Sequence, residues 1–354
     1  MDFLSSSRLL NTSNMMSNAS KLRHEEMTDI KVPNHWSHHL INSPDVVNCV
    51  AFSSDKLSHN LLAFEANSRV FVIKLVITDD KLDTSFDYEL IQDFIIGVKC
   101  CAIAVSPETK LDPIDTCLKF AVATHQYDIR VITSDIKSSE PIVNLAYLRQ
   151  HTDFVNDICF EPFNGQTLAS VSDDCTCCLW SLVNDEPELT AKLTLTSAGV
   201  TVKWHMSEPN KLLIAEKKGT IRFYDCQTQR PLLSCDCNRY PLLSADWSPT
   251  NSLSIACVSS SDIYFWDTSL SSLPIEQRRG HLNGSQAIKF FDANIIATRG
   301  RPNSTVRVEN LKTKQVLLNE LMKAGAGIAW NCKLPILAVG ANKCVHIFRF
   351  STII

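Results

Sequence analysis

The sequence predicts an all-β fold, a seven-bladed β-propeller behind a disordered N-terminal tail, and three observations carry that reading. First, a short β-run ending in a large apolar residue recurs seven times, at Phe52, Val105, Phe160, Trp204, Trp247, Phe290 and Trp330, with a spacing of roughly 40 to 55 residues. Second, each is followed about twenty residues later by another β-run, marked by Ile73, Ile132, Trp180, Tyr224, Trp266, Val308 and Phe348. Third, no amphipathic helical period appears anywhere from Trp36 onward. A repeat of that length built from strands reads as blades of four strands each, stacked into a ring. Seven of them occupy almost the whole 354-residue chain. The domain division is therefore a tail over residues 1–32 and one propeller over residues 33–354.

The elements follow in order. Residues 1–32 are Ser, Asn, Met and scattered charge without periodicity, the composition of a chain that cannot bury enough apolar surface to order itself. Pro33 ends that stretch. Outer fourth strands are expected at Asp87–Phe94, Pro141–Leu148, Glu188–Thr196, Pro231–Cys237 and Gln315–Leu321. After the seventh repeat only Phe350-Ser-Thr-Ile-Ile remains, too short to turn back as an outer strand. The missing strand must come from elsewhere, and Ser37–Asn42 is the unassigned candidate. Closure of that kind ties the two ends together and removes an exposed sheet edge. The sixth repeat, around Ile295 to Val308, is the least regular.

The third repeat is the best preserved. It runs from His151 through Phe160 to Ser170, Asp174 and Trp180, and it resembles the WD consensus of a loop His, a strand Ser, a turn Asp and a Trp. The residue types have a physical reason. A Trp packed between blades needs an acceptor for its indole N–H, and Ser170 and His151 can relay that bond to Asp174 as a buried network that rigidifies its blade. The same three residue types make a hydrolytic triad, but no Gly-x-Ser-x-Gly elbow surrounds Ser170. Elsewhere the turn position is Asn67, Gln126, Lys218, Ser260 or Asn342, so the network decays while the packing skeleton persists.

Composition narrows the function. A 45% apolar share supports a large core, and a net charge of −4 leaves no electrostatic footprint for nucleic acid or an anionic membrane. The basic cluster Arg278-Arg279 before Gly280-His281 reads as a solvated loop. No apolar run approaches the ~20 residues of a membrane span, and no secretory signal opens the chain. The fourteen cysteines then read as reduced, buried small hydrophobes, with Cys49, Cys101, Cys159 and Cys257 on core strands. Cys175, Cys177 and Cys178, or Cys235 and Cys237, invite a zinc reading. Adjacent Cys177 and Cys178 on one strand point to opposite faces, however, which suits packing and not a metal knuckle. No cofactor and no metal site is expected. The Asp79-Asp80 and Asp173-Asp174 pairs lack a His at ligand spacing and read as turn residues.

Several stretches carry a closer resemblance. Val105–Asp112, Ile132–Asp135, His151–Trp180, Ala215–Asp225, Trp266–Pro274 and Gly327–Trp330 are similar to the family of small, thirty-seven-kilodalton WD-repeat nucleoporins, over roughly residues 37–349. The resemblance implies a non-enzymatic scaffold subunit of the Y-shaped outer ring of the nuclear pore, supporting pore assembly and transport of protein and mRNA. It implies docking on a large propeller-plus-solenoid nucleoporin of the same complex, at the nuclear envelope, and in animals a link to kinetochores in mitosis. It supplies no partner-binding residues. The alternative is a generic WD-repeat adaptor of a chromatin or ubiquitin-ligase complex. Ligase receptors of that kind carry Arg two residues after the Trp-Asp pair, and here Trp266-Asp267 is followed by Thr268-Ser269.

Overall fold

The computed structural model describes residues 36–77, 86–111, 116–136, 143–184, 186–301, 305–322 and 325–351. The expected tail over residues 1–32 and the Asp79-Asp80 pair lie outside the described residues. Every regular element within them is a strand. Strand β1 (Trp36–Asn42) comes first, and then each blade is built from consecutive strands. Blade one is β2 (Val47–Phe52), β3 (Leu61–Ala66), β4 (Arg69–Val76) and β5 (Asp87–Ile95). Blade two is β6 (Cys100–Val105), a two-residue β7 (Lys110–Leu111), β8 (Thr116–Thr124), β9 (Ile129–Asp135) and β10 (Val143–Leu148). Blade three is β11 (Val155–Phe160), β12 (Thr167–Ser172), β13 (Thr176–Ser181) and β14 (Glu188–Thr194). Blade four is β15 (Gly199–Trp204), β16 (Lys211–Glu216), β17 (Thr220–Asp225) and β18 (Arg230–Asp236). Blade five is β19 (Leu242–Trp247), β20 (Ser254–Ser259), β21 (Asp262–Asp267) and β22 (Glu276–Arg279). Blade six is β23 (Ser285–Phe290), β24 (Ile295–Gly300), β25 (Thr305–Asn310) and β26 (Val316–Glu320). The last is β27 (Gly325–Trp330), β28 (Ile336–Ala341) and β29 (Cys344–Phe350).

Sequence pattern explains which strand takes which place. The second strands are short, nearly continuous apolar runs such as Leu61–Ala66 and Ile336–Ala341, buried at every residue, because both faces of a blade pack on its neighbours. The outer strands are polar or alternating, as in β5 and β10, and are largely exposed. Tight turns join the second and third strands. In blade one both central residues, Asn67 and Ser68, have positive φ (54° and 59°), the geometry whose twist matches a β-hairpin.

The repeat markers share a structural place. All seven first markers end the innermost strand of their blade. In six blades the second marker lies in the same cross-strand row, as in Phe160, Leu168 and Trp180, or Trp330, Leu337 and Phe348. Blade six departs: Phe290 pairs with Ile296 and Ile296 with Glu309. The row therefore ends on Glu309, one residue past the expected Val308. Glu309 is tolerated there because Arg307 pairs with its carboxylate.

Innermost strands contact one another in sequence around the ring, and β27 returns to β2. Closure uses the N-terminal strand: β1 runs antiparallel to β29 from Trp36 opposite Phe350 to Asn42 opposite Cys344, which makes it the outer strand of blade seven. Ile41 is 1% exposed and joins the core between blades seven and one. A correction concerns Arg278-Arg279, which is not a loop. It lies in β22, paired with β21, and Glu276 bonds the Arg278 guanidinium at 2.6 Å. Four charged or polar residues carry no apolar alternation, so this edge strand has no sequence signal.

Candidate functional site

Blade three assembles a buried polar chain. The Trp180 indole N–H donates to Ser170 Oγ at 3.0 Å. Ser170 Oγ lies 2.8 Å from His151 Nε2, and His151 Nδ1 lies 2.9 Å from Asp174 Oδ2. The Asp174 carboxylate can only accept, so the one N–H of the neutral ring is on Nδ1, and the bare Nε2 accepts the Ser170 hydroxyl proton while the indole donates to the same oxygen. Burial lowers the His151 pKa, against the pull of Asp174, which keeps the ring neutral and the chain of donors in one direction. Burial alone would raise the Asp174 pKa. Hydrogen bonds from Thr176, His151 and the Thr152 N–H more than offset it, so the group stays below the usual range. Asp174 thereby ties the turn before β13 to the loop that enters the blade.

The distances are those of a hydrolytic triad, and accessibility distinguishes the two. Ser170 is 0% exposed and its oxygen already accepts the indole N–H, so no substrate carbonyl has a path to it. The arrangement can rigidify a blade. Among the described residues, no group of three or more His, Cys, Asp or Glu has the geometry to hold a metal ion.

Other blades secure the same region with different residues. Glu216, fully buried, accepts from the Thr196 and Ser197 N–H groups at 2.7 and 2.9 Å and from Arg222. Glu65, also 0% exposed, accepts from the Ser68 N–H and from Asn48. In blade six His281 Nε2 meets Thr298 Oγ1 at 3.1 Å. Sequence reasoning missed these groups. The His281–Thr298 interval of 17 residues, against 19 for His151–Ser170, is the signal that an internal alignment of repeats would have used. The other indoles whose hydrogen bonds are resolved reach backbone carbonyls instead: Trp204 to Cys159, Trp247 to Ser252, Trp266 to Ser272 and Trp330 to Lys289.

The innermost strands stitch blade to blade. Asp157 accepts the Val202 N–H at 3.1 Å, and Asp246 accepts that of Phe290 at 2.7 Å. At the penultimate position of β15 and β23 stand Lys203 and Lys289. Burial would lower the Lys203 pKa, but the carboxylates of Asp157 and Asp246 raise it overall. Lys289 is lowered by burial and by the charge of Lys203. Two lysines and two aspartates thus balance along the inner wall of blades three to six.

The thiols pack. Cys177 and Cys178, both 0% exposed, go to opposite seams of blade three, one with the blade-four core and one with the blade-two core. Cys235 and Cys237 join the core between blades four and five. Cys49 and Cys257 are buried as well, whereas Cys101 and Cys159 are only half-buried. They sit on the innermost strands, where one side of the chain lines the ring's centre. Among the described residues, which include all fourteen cysteines, no pair forms a disulfide.

The family described as WD domain, G-beta repeat matches residues 143–181, the stretch that holds the Trp180 network. A mouse protein named Nucleoporin Nup37 is 36% identical over 310 residues, covering 85% of this chain and 93% of its own length. The human protein of the same name is 34% identical over 310 residues, with the same coverage. A Drosophila melanogaster protein of that name is 28% identical over 312 residues, 86% of this chain and 94% of its own.

Proposed function

The chain belongs to the Nup37 family of nucleoporins, and from that premise we propose that it is a non-enzymatic scaffold subunit of the nuclear pore complex. It takes its place in the Y-shaped outer ring by docking on the large propeller-plus-solenoid nucleoporin, and through it supports pore assembly and transport of protein and mRNA. The observation that carries this reading is the extent of the likeness, which spans 93% of the mouse relative's length and so leaves no large part of that protein unaccounted for. A ring whose triad-like residues are inaccessible to substrate suits a part held in place by its surfaces. At mitosis the same docking would carry the chain to kinetochores.

The test is a tagged copy in living cells. A nuclear-rim signal is expected, collapsing to diffuse cytoplasm when the large outer-ring partner is depleted. Rim staining that survives depletion rejects that partner. A diffuse signal with no rim at all rejects the pore assignment.

A further inference from the structure

The tertiary structure gathers cations that are scattered in the sequence. The turn Lys217-Lys218 joins the second and third strands of blade four, and it holds the loop leading into blade five: the Leu242 N–H donates to the Lys217 carbonyl at 2.9 Å and the Cys237 N–H to that of Gly219 at 3.1 Å. That loop carries Arg239 and Tyr240, and Ser260 Oγ reaches the Tyr240 carbonyl. The next turn, Ser260-Ser261, in turn bonds the Gly280 and Ser285 N–H groups at 2.8 and 2.7 Å. Arg301 closes the series, its N–H bonding the Gly284 carbonyl at 2.8 Å. This chain of hydrogen bonds makes one continuous rim across blades four, five and six.

On this rim Lys217, Lys218, Arg239, Arg279 and Arg301 are all exposed. Among the described residues none of the five forms an ion pair within 4.0 Å. The acids on the same turns are engaged: Glu216 is buried against Arg222, half-buried Asp236 accepts the Asn238 N–H and half-buried Asp262 accepts from Gln277, so the rim keeps a positive surplus in a chain of net charge −4. Between the cations stand two large apolar side chains in water, Tyr240 at 79% and Leu282 at 71% exposure. A charged ring around exposed apolar side chains is the composition of an interface, with an anchor at the centre and a polar rim.

We propose that the blade four-to-six rim docks an acidic segment of a protein partner, a peptide whose Asp and Glu side chains meet the five cations while one apolar side chain seats beside Tyr240 and Leu282. Charge complementarity names the sign of the partner. The apolar pair favours a peptide over a nucleic acid, whose phosphates have no use for a leucine, and the absence of any contiguous basic run agrees. The surface is read from charge and exposure alone and does not depend on which complex holds the chain.

The probe is a fluorescein-labelled peptide of Asp and Glu around one Phe, titrated against the full-length protein by anisotropy at low and moderate salt. Binding that weakens with salt is expected, and the triple variant Lys217→Glu/Lys218→Glu/Arg239→Glu should bind roughly tenfold more weakly. Leu282→Ser should weaken binding several-fold with an unchanged salt dependence. Lys312→Glu/Lys314→Glu, at the opposite end of blade six, also makes the chain more acidic, by four charge units against six, and should leave binding as it was. All substitutions are at exposed side chains, and melting curves check that each variant folds. No binding by the wild-type protein, or equal weakening by the control pair, overturns the proposal. A single-stranded RNA oligonucleotide or phosphatidylserine vesicles bound as tightly as the peptide, and lost in the triple variant, would assign the rim to nucleic acid or membrane instead.

Discussion

Ser170→Ala is the most informative single change in this propeller. The substitution removes one oxygen from a site that is 0% exposed and creates almost no cavity. Its cost therefore comes from hydrogen bonding. The oxygen serves two close partners, the Trp180 N–H at 3.0 Å and His151 Nε2 at 2.8 Å, with the Cys178 carbonyl farther off at 3.4 Å. Both stay buried when it is gone, since Trp180 is 4% and His151 8% exposed. Leaving a buried donor or acceptor unpaired costs about 1–3 kcal/mol each, so the variant should lose about 2–6 kcal/mol. Trp180→Phe removes the orphaned donor along with the pyrrole ring that carries it, and Ser170→Ala/Trp180→Phe should therefore cost less than the sum of the two by about 1–2 kcal/mol. Urea unfolding at pH 7.5, followed by circular dichroism for all four proteins of the cycle, measures both numbers. A single-variant loss under about 0.5 kcal/mol, or strict additivity, would refute the claim that the network is satisfied through Ser170.

Removing residues 1–42 strips β1 from β29, takes Ile41 out of the core and uncovers the residues it packs on. A stability loss above ~3 kcal/mol is expected, of which burial of Ile41 alone accounts for about 1.5–3 kcal/mol; a truncated protein that melts like the full chain would show that β1 does not hold the ring shut. Acid should weaken the fold before the carboxylates titrate. Burial pushes His281 and His346 down to about 4 and lowers His38, His151 and His205 as well. Between pH 6.5 and 4 the unfolded chain thus takes up protons that the folded chain refuses, and stability falls as pH falls. The urea midpoint should drop steadily across that window and drop less steeply in His281→Gln; a midpoint constant from pH 7 to 5 contradicts it. The Cys49, Cys177 and Cys257 thiols are buried and pushed well up, so iodoacetamide at pH 8 should spare them until denaturant is added, which peptide mapping by mass spectrometry decides.

Much of this architecture could be read from the sequence because a propeller repeats one local pattern. Each innermost strand must end in a large apolar residue that fills the seam to the next blade, so the seven positions from Phe52 to Trp330 stand out at a regular spacing. The closing strand was legible by elimination: seven repeats needed seven outer strands, and Ser37–Asn42 was the run left over. The His151, Ser170, Asp174 and Trp180 types were recognisable because their hydrogen-bonding capacities interlock. Where a blade breaks the shared pattern the sequence is silent. The row of blade six ends on Glu309 because Arg307 neutralises it, and β22 is a strand because β21 offers its backbone, not because Glu276–Arg279 favours extension. Glu65 and Glu216 look like surface carboxylates until the turns fold over them. The basic rim belongs wholly to the tertiary structure. Lys217, Arg239, Arg279 and Arg301 are separated by tens of residues in the chain, and only the stacking of three blades brings their turns to one edge. Periodicity records what each blade demands of itself; charge gathered from different blades leaves no periodic trace, because nothing local requires it.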